Sequence, residues 1–371
     1  MKSNPTTPPR PFDVTAVFPQ LAPLARTATR LHPRPGVPSP QDSSIGGPLL
    51  WPADEPWPHC DGPHVVDGIN PALSPAAVRL ERRLLAIQRV RSLTEDEAQA
   101  LRRIRPPRNG PARLAVAPYE GPIAMLPVAQ LYARDVPDLP APEGADLLQV
   151  LWCPFDHPIM PRTALFWREA STVTDMLTTP PEPPAMQFVG YLPEPCLLSP
   201  EQVTDYPDHL ELSQELQSRL KDWNVWQTAG THAGRPYTSY VEETLYRTDE
   251  LGPEDIDDVD RASYLPQYYD NELAGAPGWK VGGWPRWGAT DPSPRLCAAC
   301  GHEMDALLTI ATFEDNDDSS WMAYEAPDTP VTEAAHHDPG QPTAVQIGSG
   351  YDQQLYVCPV SPEHPHLELM H

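Results

Sequence analysis

Apolar runs in this chain are short, and proline bounds most of them. Leu147-Leu148-Gln149-Val150-Leu151-Trp152-Cys153, entered from Asp146 and closed by Pro154, is the strongest and predicts a buried strand. Ile123 to Leu131, ending in Leu126-Pro127-Val128-Ala129-Gln130-Leu131, predicts another. Ala306-Leu307-Leu308-Thr309-Ile310-Ala311 and Gln354-Leu355-Tyr356-Val357-Cys358 predict two more, the latter as the last strand. Helical periodicity is clearest between Ser74 and Arg105. Ser74-Pro75 fits an N-cap followed by proline at the first helical position. Leu80, Leu84 and Ile87 then share one side, with Arg82 and Arg89 roughly opposite. Thr94-Glu95-Asp96-Glu97 is a capping box that restarts a helix near Ser92, with Ala98, Leu101 and Ile104 inward. The result is a helical hairpin with a basic face, suited to the protein's own acidic surface or to an acidic partner. Ser199-Pro200-Glu201-Gln202 predicts a further helix start, and Leu210, Leu216, Leu220 and Trp223 carry an apolar pattern onward. Asp249 to Asp260 reads as a solvated acidic loop, because it lacks the spacing and central glycine of an EF-hand.

Two glycine pairs punctuate these elements. Ser44-Ile45-Gly46-Gly47-Pro48 resembles Lys280-Val281-Gly282-Gly283-Trp284-Pro285, and each precedes an apolar strand. Glycine pairs admit backbone conformations closed to other residues. The first pair leads to Trp51 and Trp57, which read as a corner sealed by aromatics, with a ligand platform as the other reading. The repetition predicts two related halves. Residues 1–43 are expected to drape as irregular, proline-rich chain, with a short strand or turn over Asp13 to Phe18 and an extended link over Arg30 to Gly36. Residues 44–371 are expected to form one compact domain. Its first half is 44–200, with the helical insertion at about 62–113, and its second half is 201–371.

Composition sharpens this into a loop-rich α+β protein with mixed or antiparallel sheets. Proline supplies 51 of 371 residues, roughly 14% against a usual level of about 5%, and proline disfavours long regular helices. Hydrophobic residues at 40% suffice for a sizeable core. The formal net charge of −25 argues against a phosphate-neutralising nucleic-acid surface. It suits solubility, or a basic partner. No run approaches the ~20 apolar residues of a membrane span, and the N-terminus lacks a signal-peptide pattern. A cytoplasmic location is expected, with the six cysteines reduced.

Reduced cysteines at close spacing point to metal. Cys297-x-x-Cys300-Gly301 has zinc-knuckle spacing, because two thiolates on one tight turn can face one ion. Cys358 ends an apolar strand and supplies a third sulfur. His364 is the favoured fourth ligand, with His366 and His302 as alternatives. Unmetallated buried cysteines and an open catalytic site are the competing readings. Cys60, Cys153 and Cys196 are scattered and read as small core residues. Cys153 with His157 invites a thiol–imidazole pair, but Pro154 intervenes and no orienting third group is evident. His336-His337 beside Asp338 reads as surface loop. No phosphate-cradling GxGxxG or GxxxxGK[ST], no HExxH and no GxSxG occurs.

Taken in order, Ser44-Ile45-Gly46-Gly47-Pro48, Val128-Ala129-Gln130-Leu131, Lys280-Val281-Gly282-Gly283-Trp284-Pro285 and the strand at Leu307 resemble the YwqG-like family of bacterial domains of unknown function. The run from Leu148 to His157 resembles its long actinobacterial branch. The resemblance covers roughly residues 30 to 371. It implies an α+β fold with two related halves and a branch-specific helical insertion, and it implies no activity. Branch members repeat a Cys-x-x-Cys at the last strand, whereas this chain has Ser361 at the second position. The expected function is a cytoplasmic, non-catalytic binding protein with a structural Zn2+, an unknown protein partner, no nucleic acid and no membrane. Two other classes stay open: an enzyme, perhaps a hydrolase, with a pocket between the halves, and an immunity-like protein that neutralises a toxin.

Overall fold

Two six-stranded antiparallel sheets carry the fold, which combines them with helices as an α+β mixture. The computed structural model describes residues 6–66, 72–105, 117–119, 121–248, 258–288, 290–315, 321–323 and 340–371. The strands of the two main sheets are β1 (Arg26–Arg30), β2 (Arg34–Pro35), β3 (Ser44–Ile45), β4 (Leu126–Tyr132), β5 (Leu147–Asp156), β6 (Pro161–Arg168), β7 (Cys196–Leu197), β8 (Glu201–Asp205), β9 (Lys280–Gly282), β10 (Asp305–Ile310), β11 (Gln353–Val357) and β12 (Leu367–Met370). One sheet has the order β8-β1-β9-β10-β11-β12, the other β2-β7-β3-β4-β5-β6. Read from matching edges, the two orders differ by six at every position.

The registers follow the same rule. One row of paired residues crosses the second sheet as Arg34, Leu197, Ser44, Gln130, Gln149 and Phe166. Its counterpart in the first sheet is Glu201, Arg30, Lys280, Thr309, Gln354 and Leu369. A buried polar pair sits at the same place in each row. Gln149 Nε2 donates to Gln130 Oε1 at 2.9 Å, and Thr309 Oγ1 donates to Gln354 Oε1 at 2.6 Å. The inner faces share one core, in which Ile45, Val128, Val150 and Trp152 join Val281, Leu308, Ile310 and Leu355. The seam between the sheets is therefore filled with apolar side chains.

The glycine-tryptophan turn after β9 is explained by a buried charge. Lys280 Nζ donates to Asp205 Oδ2 at 2.6 Å and to the Trp284 carbonyl at 2.7 Å, with both ionic side chains almost fully buried. Gly283 has a φ of +71°, and a Cβ there would lie 2.4 Å from Asp205 Oδ2 and 2.6 Å from Ala28 Cβ. Only glycine lets the chain approach this pair so closely. In the first half Trp51 and Trp57 are buried with ring centroids 5.1 Å apart, and their indole nitrogens donate to the carbonyls of Glu55 and Met125. That is a sealed corner.

The helical hairpin forms as its caps dictate: α1 (Pro75–Val90) starts at Ser74, and α2 (Glu95–Ile104) at the Thr94–Glu97 capping box. Its basic face meets the protein's own acidic groups, since Arg82 Nη1 donates to Glu194 Oε1 at 2.7 Å. The short pairing of His64–Val66 with Ala117–Tyr119 forms its base. Val78 of α1 is fully buried in the main core, whereas α2 buries no residue.

Three expectations need correction. Residues 6–43 are not a surface drape. They supply β1 and β2, and Phe12, Val14, Phe18 and Leu21 pack in a second core. That core also takes residues from α3 (Gln214–Lys221), α4 (Trp223–Thr228), α5 (Tyr237–Thr248) and α6 (Asp258–Tyr268), so a boundary at 43/44 would cut through both a sheet and a core. Ser199 to Gln202 does not start a helix. Ser199 N donates to Leu31 O, and Glu201–Asp205 pairs with β1, so long-range strand pairing overrides the local helix-start signal. Finally, β11 is not the last strand, because Leu367–Met370 adds an edge to it as β12. Residues 249–257 of the acidic loop and His336-His337-Asp338 lie outside the described residues.

Candidate metal centre

The Cys297 turn is the tip of a miniature hairpin, held by a bridge between Leu296 and Glu303. Cys297 N donates to His302 O, and Gly301 N to Cys297 O, both at 2.8 Å. Gly301 takes a φ of +74°, the left-handed conformation that closes the turn and turns both sulfurs to one side. Arg295 fixes the turn's base through Glu211, with Nη–Oε distances of 2.7 and 3.0 Å. Cys358 follows directly on β11, and His364 lies in the turn to β12.

These four side chains meet. Cys300 Sγ lies 3.5 Å from Cys358 Sγ, and His364 Nδ1 lies 3.2 Å from Cys358 Sγ and 3.5 Å from Cys297 Sγ. All four candidate ligand atoms fall within 4.8 Å of one another, so the group could hold a metal ion. Three sulfurs and one imidazole nitrogen are a donor set suited to tetrahedral zinc. A sulfur separation of 3.5 Å excludes a disulfide, whose sulfurs sit about 2.05 Å apart. Cys297 and Cys358 are buried with Met304 and Tyr356, and Cys300 is half-buried. Burial raises the Cys358 thiol's pKa, but the backbone amides of Ser361 and Val360, with the Cys300 and Cys297 thiols, bring it below its ordinary value. Amides aimed at a sulfur favour the thiolate, which is the form that ligates metal. The other two candidate histidines stand apart from the cluster. His366 Nε2 contacts Thr163 Oγ1 at 2.8 Å, and His302 is absent from the group of ligand atoms.

A second group of the same kind lies beside the other sheet, where the sequence suggests small core cysteines and a Cys153–His157 pair without a third group. Cys60, His64, Cys153 and His157 also bring four candidate ligand atoms within 4.8 Å. Cys60 Sγ is 3.6 Å from His157 Nε2, and the His64 and His157 rings are 5.5 Å apart between centroids. Cys153, Cys60 and His64 are buried. The neighbouring Cys153 thiol lowers the pKa of Cys60, and the Cys60 thiol together with burial raises that of Cys153. Burial lowers the pKa of His157 and favours its neutral, metal-ligating form. The expectation of scattered cysteines is thereby corrected for Cys60 and Cys153: they meet because the short strand His59–Cys60 pairs with Ile123–Ala124, which leads into β4 beside β5. A signal was present. Cys60-x-x-x-His64 and Cys153-x-x-x-His157 have the same spacing, and both pairs end in one group. Asp156 is not a free orienting carboxylate, since Tyr191 Oη and Gln187 Nε2 both donate to it. Cys196 remains a core residue, its thiol directed to Pro342 O at 3.4 Å.

A third group belongs to the helical side. Asp208, His209 and Asp270 line a groove of about 630 Å³ together with Lys221, Arg286 and Trp287. Hydrogen bonding to Asp270 raises the pKa of His209, and burial pushes Asp208 up to about 6. No residue from the Cys153–His157 stretch lines this groove. No helix among the described residues is long and apolar enough to cross a membrane. No family model matches the sequence, and no curated protein matches it.

Proposed function

We propose that this chain is a non-catalytic binding protein of the YwqG-like kind, with a structural zinc ion held by Cys297, Cys300, Cys358 and His364. The observation that carries the reading is the convergence of three sulfurs and one imidazole within 4.8 Å at the end of β11. Four protein ligands complete a tetrahedron and leave no position for a reactive water, which separates structural from catalytic zinc. The ion ties the hairpin between β9 and β10 to the last two strands, so its binding energy adds to folding. The apolar seam between the sheets favours a scaffold over an enzyme with a pocket there. The proposed location is the cytoplasm, where thiols stay reduced, and the proposed partner is a protein that complements the acidic surface. Metal analysis of protein purified without chelator tests the metal reading. Zinc lost on Cys300→Ser supports it, and metal content unchanged by that substitution removes it. Affinity capture from the native host, read by mass spectrometry, tests the partner.

One observation favours a different reading, an enzyme working at the helical groove. Asp208, His209 and Asp270 are the kind of titratable cluster that performs acid–base chemistry. A hydrolase-substrate screen in which His209→Ala abolishes turnover would establish it, and an inactive wild-type protein would count against it.

A further inference from the structure

We propose that Cys60, His64, Cys153 and His157 bind a second zinc ion, at the position in their sheet that the Cys297 cluster occupies in the other. The inference goes beyond the single site proposed above, and the two sites fail separately in the experiment below.

Sheet register places the two groups in equivalence. Gln149 and Gln354 hold the same place in their rows. Four residues beyond each along the strand direction comes a cysteine followed by proline: Cys153-Pro154 and Cys358-Pro359. In each half a histidine then follows in the turn to the edge strand, His157 before β6 and His364 before β12. The remaining pair comes from the connection after the glycine pair. Cys60 follows Gly47 by 13 residues and Cys297 follows Gly283 by 14. His64 then stands four residues after Cys60, and Cys300 three after Cys297. Each cluster thus takes two donors from the β3–β4 or β9–β10 connection, one from β5 or from the residue directly after β11, and one from the hairpin that follows.

The chemistry of the group points the same way. Two thiols and two imidazoles are packed together where three of the four side chains are buried. His64 Nε2 is buried with no hydrogen-bond partner among the described residues, an unfinished polar environment that carries a free-energy cost. Two sulfurs and two nitrogens complete a tetrahedral zinc site of the Cys2His2 type. Such an ion closes all four positions and is structural. It joins the connection that leads into the helical hairpin to β5, the longest strand of its sheet. In the second half the corresponding connection is only the knuckle. The first half interrupts it with α1 and α2, so cross-linking the base of that insertion to the sheet is the physical task the ion performs.

Metal content of the full-length chain, measured by elemental analysis after growth with added zinc and desalting without chelator, is the test. Two zinc ions per wild-type chain, one in Cys60→Ser, one in His157→Gln and one in Cys358→Ser are expected. A wild-type content of one that is lost in Cys358→Ser and unaffected by Cys60→Ser overturns the second site and leaves the first. A content of one that survives Cys358→Ser but not Cys60→Ser supports the second site and removes the first. Because a substituted chain can fail to fold, cadmium-113 resonance on the unsubstituted protein gives an independent readout. Two signals are expected, one for a three-sulfur and one for a two-sulfur environment, and a three-sulfur signal alone overturns the proposal.

Discussion

The two Cys/His groups occupy equivalent places in their sheets, yet their donors arrive along the chain differently. In the second half two cysteines share one six-residue turn from Cys297 to His302, closed by backbone hydrogen bonds and a left-handed glycine. Half of that group is held by local turn geometry alone. In the first half Cys60 and His64 lie on separate short strands, each paired with a different segment across the helical insertion. Their meeting with Cys153 and His157 requires the sheet itself. The difference teaches where such a site becomes legible. A knuckle announces itself by one close pair, whereas the two Cys-x-x-x-His spacings of the first half point to a shared site only once strand register brings them together.

The largest effect is expected at the knuckle side. Cys358→Ser should release metal and lower stability by several kcal/mol, because structural zinc contributes folding free energy directly. Thermal unfolding with and without added zinc checks this, and zinc should restore none of the loss in the variant.

The two glycine-pair turns sharpen the comparison next. Lys280 and Ser44 hold equivalent positions in their rows. Lys280→Ala removes the buried ion-pair partner of Asp205, which should cost about 3–5 kcal/mol. Ser44→Ala removes a buried hydroxyl without a hydrogen-bond partner among the described residues and should be near neutral, within about 0.5 kcal/mol. Equal effects in urea unfolding would show that the halves use these positions alike.

A pH effect should also fall on one side. Burial raises the pKa of Glu314 to about 7, against opposition from Arg30 and the Trp279 amide. The folded state then keeps its proton between roughly pH 4.5, where the unfolded chain loses it, and pH 7. Stability from this group is present below the lower value and lost as pH rises through the upper one. Glu314→Gln should therefore gain on the wild type as pH rises across that window and hold a constant difference above it. Melting temperatures of both proteins from pH 4 to 8 provide the measurement.

The smallest effect concerns the helical hairpin of α1 and α2, which lies between β3 and β4. Leu101→Ala on α2, which buries no residue, should change stability by less than about 1 kcal/mol. Val78→Ala on α1 should cost more, because Val78 is fully buried in the core shared by both sheets. Chemical denaturation of the two variants separates a lid that rests on the sheet from one that helps to fill it.

The sequence by itself determined the features that depend on neighbours along the chain. Caps at Ser74 and Thr94, the apolar runs of β4, β5, β10 and β11, the glycine turns and the Cys297 knuckle are all local, because they follow from backbone geometry and side-chain period over a few residues. Tertiary structure decided what depends on partners distant in sequence. Ser199 to Gln202 carries a helix-start signal, yet Glu201 to Asp205 became a strand because β1 offered backbone groups beside it. Phe12 and Phe18 lie in proline-rich chain, yet they were buried because each packs edge-to-face with Trp226. The Cys60 group formed because register fixes which side chains meet, and register is set by all the strands of a sheet at once.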